Sequence, residues 1–133
     1  MEGDADELPR LAPMRVLIAD DEADIRLMLK IRLELEPEVH VVGEVGDGAE
    51  ALEFIRKEPP DVVILDLFMP EVDGFQVLAR WEAEFPGVGV VAYSGVAGDY
   101  VRQEMDRLGV PLVLKSGNVG PLLAALRLAV RRS

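Results

Sequence analysis

Residues 61–74 read DVVILDLFMPEVDG. Val62, Val63, Ile64 and Leu65 form an unbroken apolar, mostly β-branched run with Pro59-Pro60 before it and Pro70 after it. Such a run predicts a strand buried on both faces. It ends on a carboxylate, Asp66. A charge ends a buried strand comfortably only where the strand opens into a pocket. In open α/β sheets ligands bind at the carboxyl ends of the strands, so Asp66 is the first candidate for chemistry. A merely solvated Asp at a strand end is the plain alternative, and it weakens as other groups converge on the same edge.

Working outward, Arg15 to Ala19 is a short apolar strand ending on Asp20-Asp21-Glu22. A helix follows, with Ile25, Leu29 and Leu33 at four-residue spacing, Met28 beside them, and Glu22, Arg26, Lys30 and Glu34 on a charged face. Pro37 ends it. Val39 to Val45 is the second strand, and Gly46-Asp47-Gly48 turns into a helix through Leu52 and Ile55. After Asp73-Gly74 a third helix carries Phe75, Leu78, Trp81 and Phe85. Val88 to Tyr93 is a fourth strand ending on Ser94-Gly95. Val101, Met105 and Leu108 stripe a fourth helix, which Gly109 stops. Leu112 to Leu114 is a fifth strand ending on Lys115-Ser116, and Pro111 at its start suits an edge. Val119, Leu122, Leu123, Leu126 and Val130 mark the last helix. Five strands alternating with five helices over short connections predict a doubly wound α/β domain, a parallel sheet with helices on both faces.

Composition bounds the function. A chain of 133 residues, half of them hydrophobic, suits one domain that buries roughly two-thirds of its unfolded surface. It has no cysteine, which excludes disulfides and thiolate metal sites and agrees with a cytoplasmic setting. Fourteen basic against twenty-five acidic residues give a net charge of −11, which disfavours nucleic-acid binding by this domain. No apolar run reaches the ~20 residues of a membrane-spanning helix and no signal peptide is expected. Residues 1–14 are acidic and aperiodic, and a flexible tail is expected there.

At the strand ends stand Asp20 and Asp21, Asp66, Ser94 and Lys115. If the first strand lies beside the third, three carboxylates converge, which is costly unless a cation sits among them. Few hard oxygen ligands suit Mg²⁺, which shares its site readily with phosphate. A carboxylate beside Mg²⁺ can be the nucleophile that forms an acyl phosphate. Lysine offers phosphate oxygens a point charge and serine a hydrogen bond. The set reads as phosphoryl transfer onto Asp66. Taken singly, Asp21 reads better as the N-cap of the first helix, Asp73 as the cap of the third, Ser94 as a turn former and Lys115 as a solvated strand end. His40 has no partner motif, and Trp81 has the spacing of a core residue.

With these residues in their order and spacing, the sequence resembles the receiver domain of two-component response regulators over about residues 15–131. The resemblance rests on Asp20-Asp21, Asp66-Leu67-Phe68-Met69-Pro70 with Asp73-Gly74, Ser94 and Lys115. It implies a flavodoxin-like sheet of order 2-1-3-4-5, with Asp66 as phosphoacceptor. It further implies Mg²⁺ held by Asp21, Asp66 and the backbone carbonyl of Phe68, with Asp20 acting through water. Ser94 would move to the phosphoryl group and Lys115 would pair with it. The donor would be a sensor histidine kinase or a phosphotransfer protein. The output would be a downstream effector domain or protein, with a phosphorylation-dependent homodimer also open to the family. Such a domain catalyses its own phosphorylation and later hydrolysis and turns over no external substrate. Three positions depart from the family's habit: Leu112 where an aromatic is frequent, Ser116 where proline commonly follows the lysine, and Gly95 where alanine commonly follows the hydroxyl.

Two readings compete on this fold, and a third lies further off. A nucleotide or flavin domain would need G-x-G-x-x-G, which Gly43, Gly46 and Gly48 do not form. A receiver serving only as an interaction module, never phosphorylated, would have no need of Asp20, Asp21, Asp66, Ser94 and Lys115 together. A phosphatase would want a second carboxylate where Phe68 stands. No effector segment follows the last helix within these residues, which fits a stand-alone receiver and a piece of a longer regulator equally.

Overall fold

The alternation of apolar side chains along the strands builds two cores, one on each face of a single sheet. Leu17, Ala19, Val63, Leu65, Val90 and Ala92 point to one face, and Val16, Ile18, Val62, Ile64, Val91 and Tyr93 to the other. That is the period-two pattern of a strand buried on both sides. The computed structural model describes residues 12–130. Its strands are β1 (Met14–Ala19), β2 (Val39–Val45), β3 (Val62–Leu65), β4 (Gly89–Ser94) and β5 (Leu112–Leu114). Its helices are α1 (Ala23–Leu33), α2 (Gly48–Lys57), α3 (Gly74–Glu84), α4 (Asp99–Leu108) and α5 (Gly120–Ala129). All neighbouring strands pair in parallel, in the order β2-β1-β3-β4-β5. The flavodoxin-like expectation is met.

Helices α2, α3 and α4 cover the first core through Ala51, Leu52, Ile55, Val77, Leu78, Trp81, Val101 and Met105. Helices α1 and α5 cover the second through Leu29, Leu33, Leu122 and Leu126. Trp81 is core, as its spacing predicts, and its indole N–H donates to the Val88 carbonyl at 2.6 Å. Gly109 ends α4 in the left-handed region at φ 69°, where a residue without Cβ is favoured. Pro111 precedes an edge strand and loses no ladder bond, since only its carbonyl is used, by the Ala92 N–H at 2.9 Å.

Local capping decides two further points. Asp73 caps α3 as expected, accepting from the Gln76 N–H at 2.9 Å while the Gln76 side chain accepts from the Asp73 N–H. This reciprocal pair is a capping box. Asp21, by contrast, does not cap α1. The N-cap is Glu22, with no side-chain cap bond, and it is Asp20 Oδ1 that accepts from the Glu22 N–H at 2.9 Å. Met14, placed with the tail on sequence grounds, is the first residue of β1 and donates its N–H to the Glu38 carbonyl at 2.8 Å. The rest of that acidic segment up to Leu11, and Arg131 at the other end, lie outside the described residues.

Candidate functional site

The chain runs from β1 out to β2, then crosses back to place β3 on β1's other side. At this reversal the connections leave in opposite directions and a crevice opens at the strand ends. Asp20 and Asp66 directly follow Ala19 and Leu65, which are paired across β1 and β3. Both carboxylates are therefore delivered to the crevice by the register of the sheet. They are 1% and 4% exposed, whereas Asp21 faces solvent. Carboxylate oxygens of Asp20, Asp21 and Asp66 lie within 4.8 Å of one another.

Lys115 follows β5 and reaches across to the same place. Its Nζ is 2.7 Å from Asp20 Oδ2, 3.3 Å from Asp66 Oδ2 and 3.3 Å from Glu22 Oε1. The shortest of these is an ion pair without hydrogen-bond alignment, and it is the partner of the buried Asp20 Oδ2. Asp66 Oδ1 accepts from the Phe68 N–H at 3.1 Å, while the Phe68 ring is exposed and meets Phe75 edge-on. Ser94 is fully buried at the end of β4, yet its hydroxyl is turned to its own loop. It donates to the Val96 carbonyl at 2.8 Å and accepts from the Val96 N–H at 3.1 Å. The crevice thus gathers Asp20, Asp21, Asp66, Lys115 and the Phe68 backbone, and holds Ser94 in a turn.

Burial pushes the Asp66 carboxyl up to about 6. The Phe68 N–H opposes the rise, the Asp20 charge adds to it and Lys115 opposes it. For Lys115, burial disfavours the charge, but Asp20 and Asp66 outweigh it and hold the ammonium above its ordinary range. A raised carboxyl binds its proton more tightly folded than unfolded, so its contribution to stability is complete below pH ~4 and is lost as pH rises through ~6. Chelated wild type is expected to lose up to about 3 kcal/mol from this group over that window. Urea melts of wild type and Asp66→Asn from pH 4 to 7 isolate it, because the other carboxylates are common to both. Parallel stability curves would refute the raised carboxyl.

Several residues that matter here were not singled out by the sequence reading. Glu22 and Arg26, read from the sequence only as part of the charged face of the first helix, turn toward the crevice. Arg26 Nη1 donates to the Asp20 carbonyl at 2.7 Å. The Lys115 loop, with Ser116 where proline is common, is tied by Arg32 Nη1 to the Gly117 carbonyl at 2.5 Å. Tyr93 adds a weak bond, its hydroxyl 3.4 Å from the Ser116 carbonyl. Only the side of α1 that faces the sheet could have shown this, and the apolar stripe alone does not say which flank lies toward β2. Of the glycines weighed for a nucleotide loop, Gly43 lies against the Phe54 ring and Gly48 against the Val72 carbonyl. These are packing positions.

An acidic pocket at the switch point of a 2-1-3-4-5 parallel sheet, with a lysine reaching in from the last strand, defines a receiver-type α/β domain. The chain belongs to the response regulator receiver domain family, whose model matches residues 16–127. It is similar to the transcriptional regulatory protein PdtaR of Mycobacterium tuberculosis, 35% identical over 99% of this chain and 64% of that protein. The chain thus spans just under two-thirds of that relative's length. Among solved structures it is similar to the response regulator domain of Thermotoga maritima CheB, with a TM-score of 0.78 and 31% identity over 88% of this chain and 96% of that one. It is also similar to the isolated REC domain of RcsB from Salmonella enterica serovar Typhimurium in the presence of the phosphomimetic BeF₃⁻. There the TM-score is 0.79 with 27% identity over 90% and 92%.

Proposed function

We propose that Asp66 accepts a phosphoryl group in an Mg²⁺-dependent reaction and that the acyl phosphate switches what the domain binds. The observation that carries this is the buried pair Asp20 and Asp66. Two buried carboxylates sharing one lysine ammonium at a ligand crevice, with a third carboxylate beside them, fit a hard divalent cation better than they fit a structural role. Asp21, Asp66 and the Phe68 carbonyl would hold Mg²⁺, with Asp20 acting through water. Bound there, Mg²⁺ supplies positive charge that offsets the carboxylates and the phosphoryl oxygens.

The protein groups have distinct tasks. Asp66 is the nucleophile: it follows β3 into the crevice, with one carboxylate oxygen held by the Phe68 N–H at 3.1 Å. One of its oxygens attacks phosphorus, the P–N bond of a phosphohistidine breaks, and the freed imidazole takes up a proton. Lys115 moves from the bare carboxylates to pair with the phosphoryl oxygens. Ser94 must release the Val96 carbonyl to donate to the same group. Because Val96 leads into α4, that release disturbs the β4–α4 connection. Water then cleaves the acyl phosphate, returning the carboxylate and inorganic phosphate. A histidine kinase or phosphotransfer protein is the donor in this reading, and an effector domain or protein receives the switch. The RcsB REC domain in the presence of the phosphomimetic BeF₃⁻ supports phosphoryl chemistry at a fold of this kind.

Incubation with acetyl phosphate and Mg²⁺ is expected to add one phosphoryl mass to the intact protein, and Asp66→Asn to abolish the addition. Labelling that persists in Asp66→Asn would overturn the assignment. A folded wild type that takes no label from acetyl phosphate or any phosphohistidine donor would favour an interaction module instead.

A further inference from the structure

Arg26 is the fourth residue of α1, and its guanidinium does not point along the helix. It crosses to the ends of β1 and β2 at once. Nη1 donates to the Asp20 carbonyl at 2.7 Å, and Nε bonds Glu44 Oε1 at 3.2 Å, near the end of β2. The group lies over the β2–α2 turn, with Nη1 3.4 Å from where a Cβ on Gly46 would stand. Its side chain is 20% exposed. The Asp20 N–H is already fixed to the Val45 carbonyl at 3.1 Å, and Asp20 Oδ1 is fixed to the Glu22 N–H. Arg26 supplies the remaining tie, on the carbonyl of the peptide that joins Asp20 to Asp21.

We propose that Arg26 is a positioning residue for the acidic crevice, clamping the Asp20–Asp21 peptide so that Asp21 leaves the strand toward Asp66. This rests on the reading of the crevice as an Mg²⁺ site. Asp21 is the exposed member of the three carboxylates and therefore the one least held by burial. A peptide plane free to rotate would swing its carboxylate away from the cluster. The guanidinium fork, itself braced by Glu44, prevents that rotation.

Positioning and simple charge predict opposite results. A cation near three carboxylates repels a metal ion, so if charge were all that mattered, removing it would tighten Mg²⁺ binding. If Arg26 positions the ligands, its removal weakens binding, and groups that orient metal ligands are typically worth 10–100-fold in affinity. The whole chain is titrated with Mg²⁺ by calorimetry, as wild type, Arg26→Gln and Arg26→Lys, with melting in chelator as the check on folding. Expected is about tenfold weaker binding for Arg26→Gln, with partial recovery in Arg26→Lys, which restores charge and one donor. Arg26→Gln that binds as tightly as wild type, or tighter, overturns the proposal alone. Wild type that binds no Mg²⁺ overturns the metal reading and the proposal with it. Should Arg26→Gln not fold, Arg26→Lys decides: wild-type affinity overturns the clamp, and a loss of about threefold or more supports it.

Discussion

Lys115→Met is expected to cost the chelated protein about 3–5 kcal/mol at pH 7.5, a large share of the stability of a domain this size. The two chains have similar length, so the change is chiefly the loss of a cation. Asp20 Oδ2 is buried, with Lys115 Nζ at 2.7 Å as its partner. Asp66 Oδ2 has the same Nζ at 3.3 Å. Breaking a buried pair by removing one partner leaves an uncompensated charge, which costs far more than the pair itself was worth. The pH dependence identifies the cause. Asp66 already sits at about 6 with Lys115 present, and losing the ammonium raises it further. A raised folded carboxyl loses its stabilising contribution as pH rises, so the mutant's deficit widens upward from pH 5 and narrows below it, where protonation removes the repulsion. Saturating Mg²⁺ is expected to recover much of the loss by binding the folded state. Urea melts at pH 5, 6.5 and 8, with chelator and with Mg²⁺, read all of this. A deficit under about 1 kcal/mol that is flat with pH would place Lys115 with ordinary surface pairs.

Gly74→Ala is expected to cost about 3 kcal/mol or more, at the upper end for overpacking. A Cβ at Gly74 would stand 2.4 Å from the Asp66 carbonyl oxygen and 2.5 Å from Leu67 Cα. Both obstacles are backbone, so no side chain can rotate out of the way. Relief requires moving either the N-terminus of α3 or the exit of β3, and that exit carries Asp66. The Gly74 N–H bond to the Leu67 carbonyl at 3.0 Å ties the two segments and would be strained by either movement. Labelling by acetyl phosphate is therefore expected to fall along with stability, even where the mutant is fully folded. Gly95→Ala is the control: nothing lies within 4 Å of its Cβ position, and the change in stability should stay within about 0.5 kcal/mol. If Gly74→Ala proves equally mild, the β3–α3 connection is far more pliant than its packing implies.

What could be read without coordinates was whatever is local in the chain. The run Val62 to Leu65 declares a strand buried on both faces, because no polar face interrupts it. The turn residues on either side place Asp66 at its end. Asp73-Gly74 marks a helix start, and Gly109 a helix stop, because capping and left-handed backbone involve residues only a few positions apart. The placement of Asp20, Asp66, Ser94 and Lys115 at strand ends follows from the same local logic.

Tertiary structure decided what those groups do to one another. Lys115 pairs with Glu22 across 93 positions and with Asp66 across 49, contacts that exist only because β1 lies beside β3 and the β5 connection curls over both. Taken alone, Asp21 suited a helix cap; the backbone instead lets Asp20 bond the Glu22 N–H and leaves Asp21 at the crevice. Ser94, a strand-end hydroxyl in sequence, closes a turn on Val96. Arg26 looked like one charge among several on a helix face, yet it clamps the Asp20 carbonyl. Charged side chains have long reach and no periodic constraint, so their partners are chosen by which backbone groups the packed helices and the sheet order bring within that reach. Apolar periodicity sets the elements and helical spacing sets local pairs such as Glu53 with Lys57, but the geometry of assembly sets the ion pairs of the crevice.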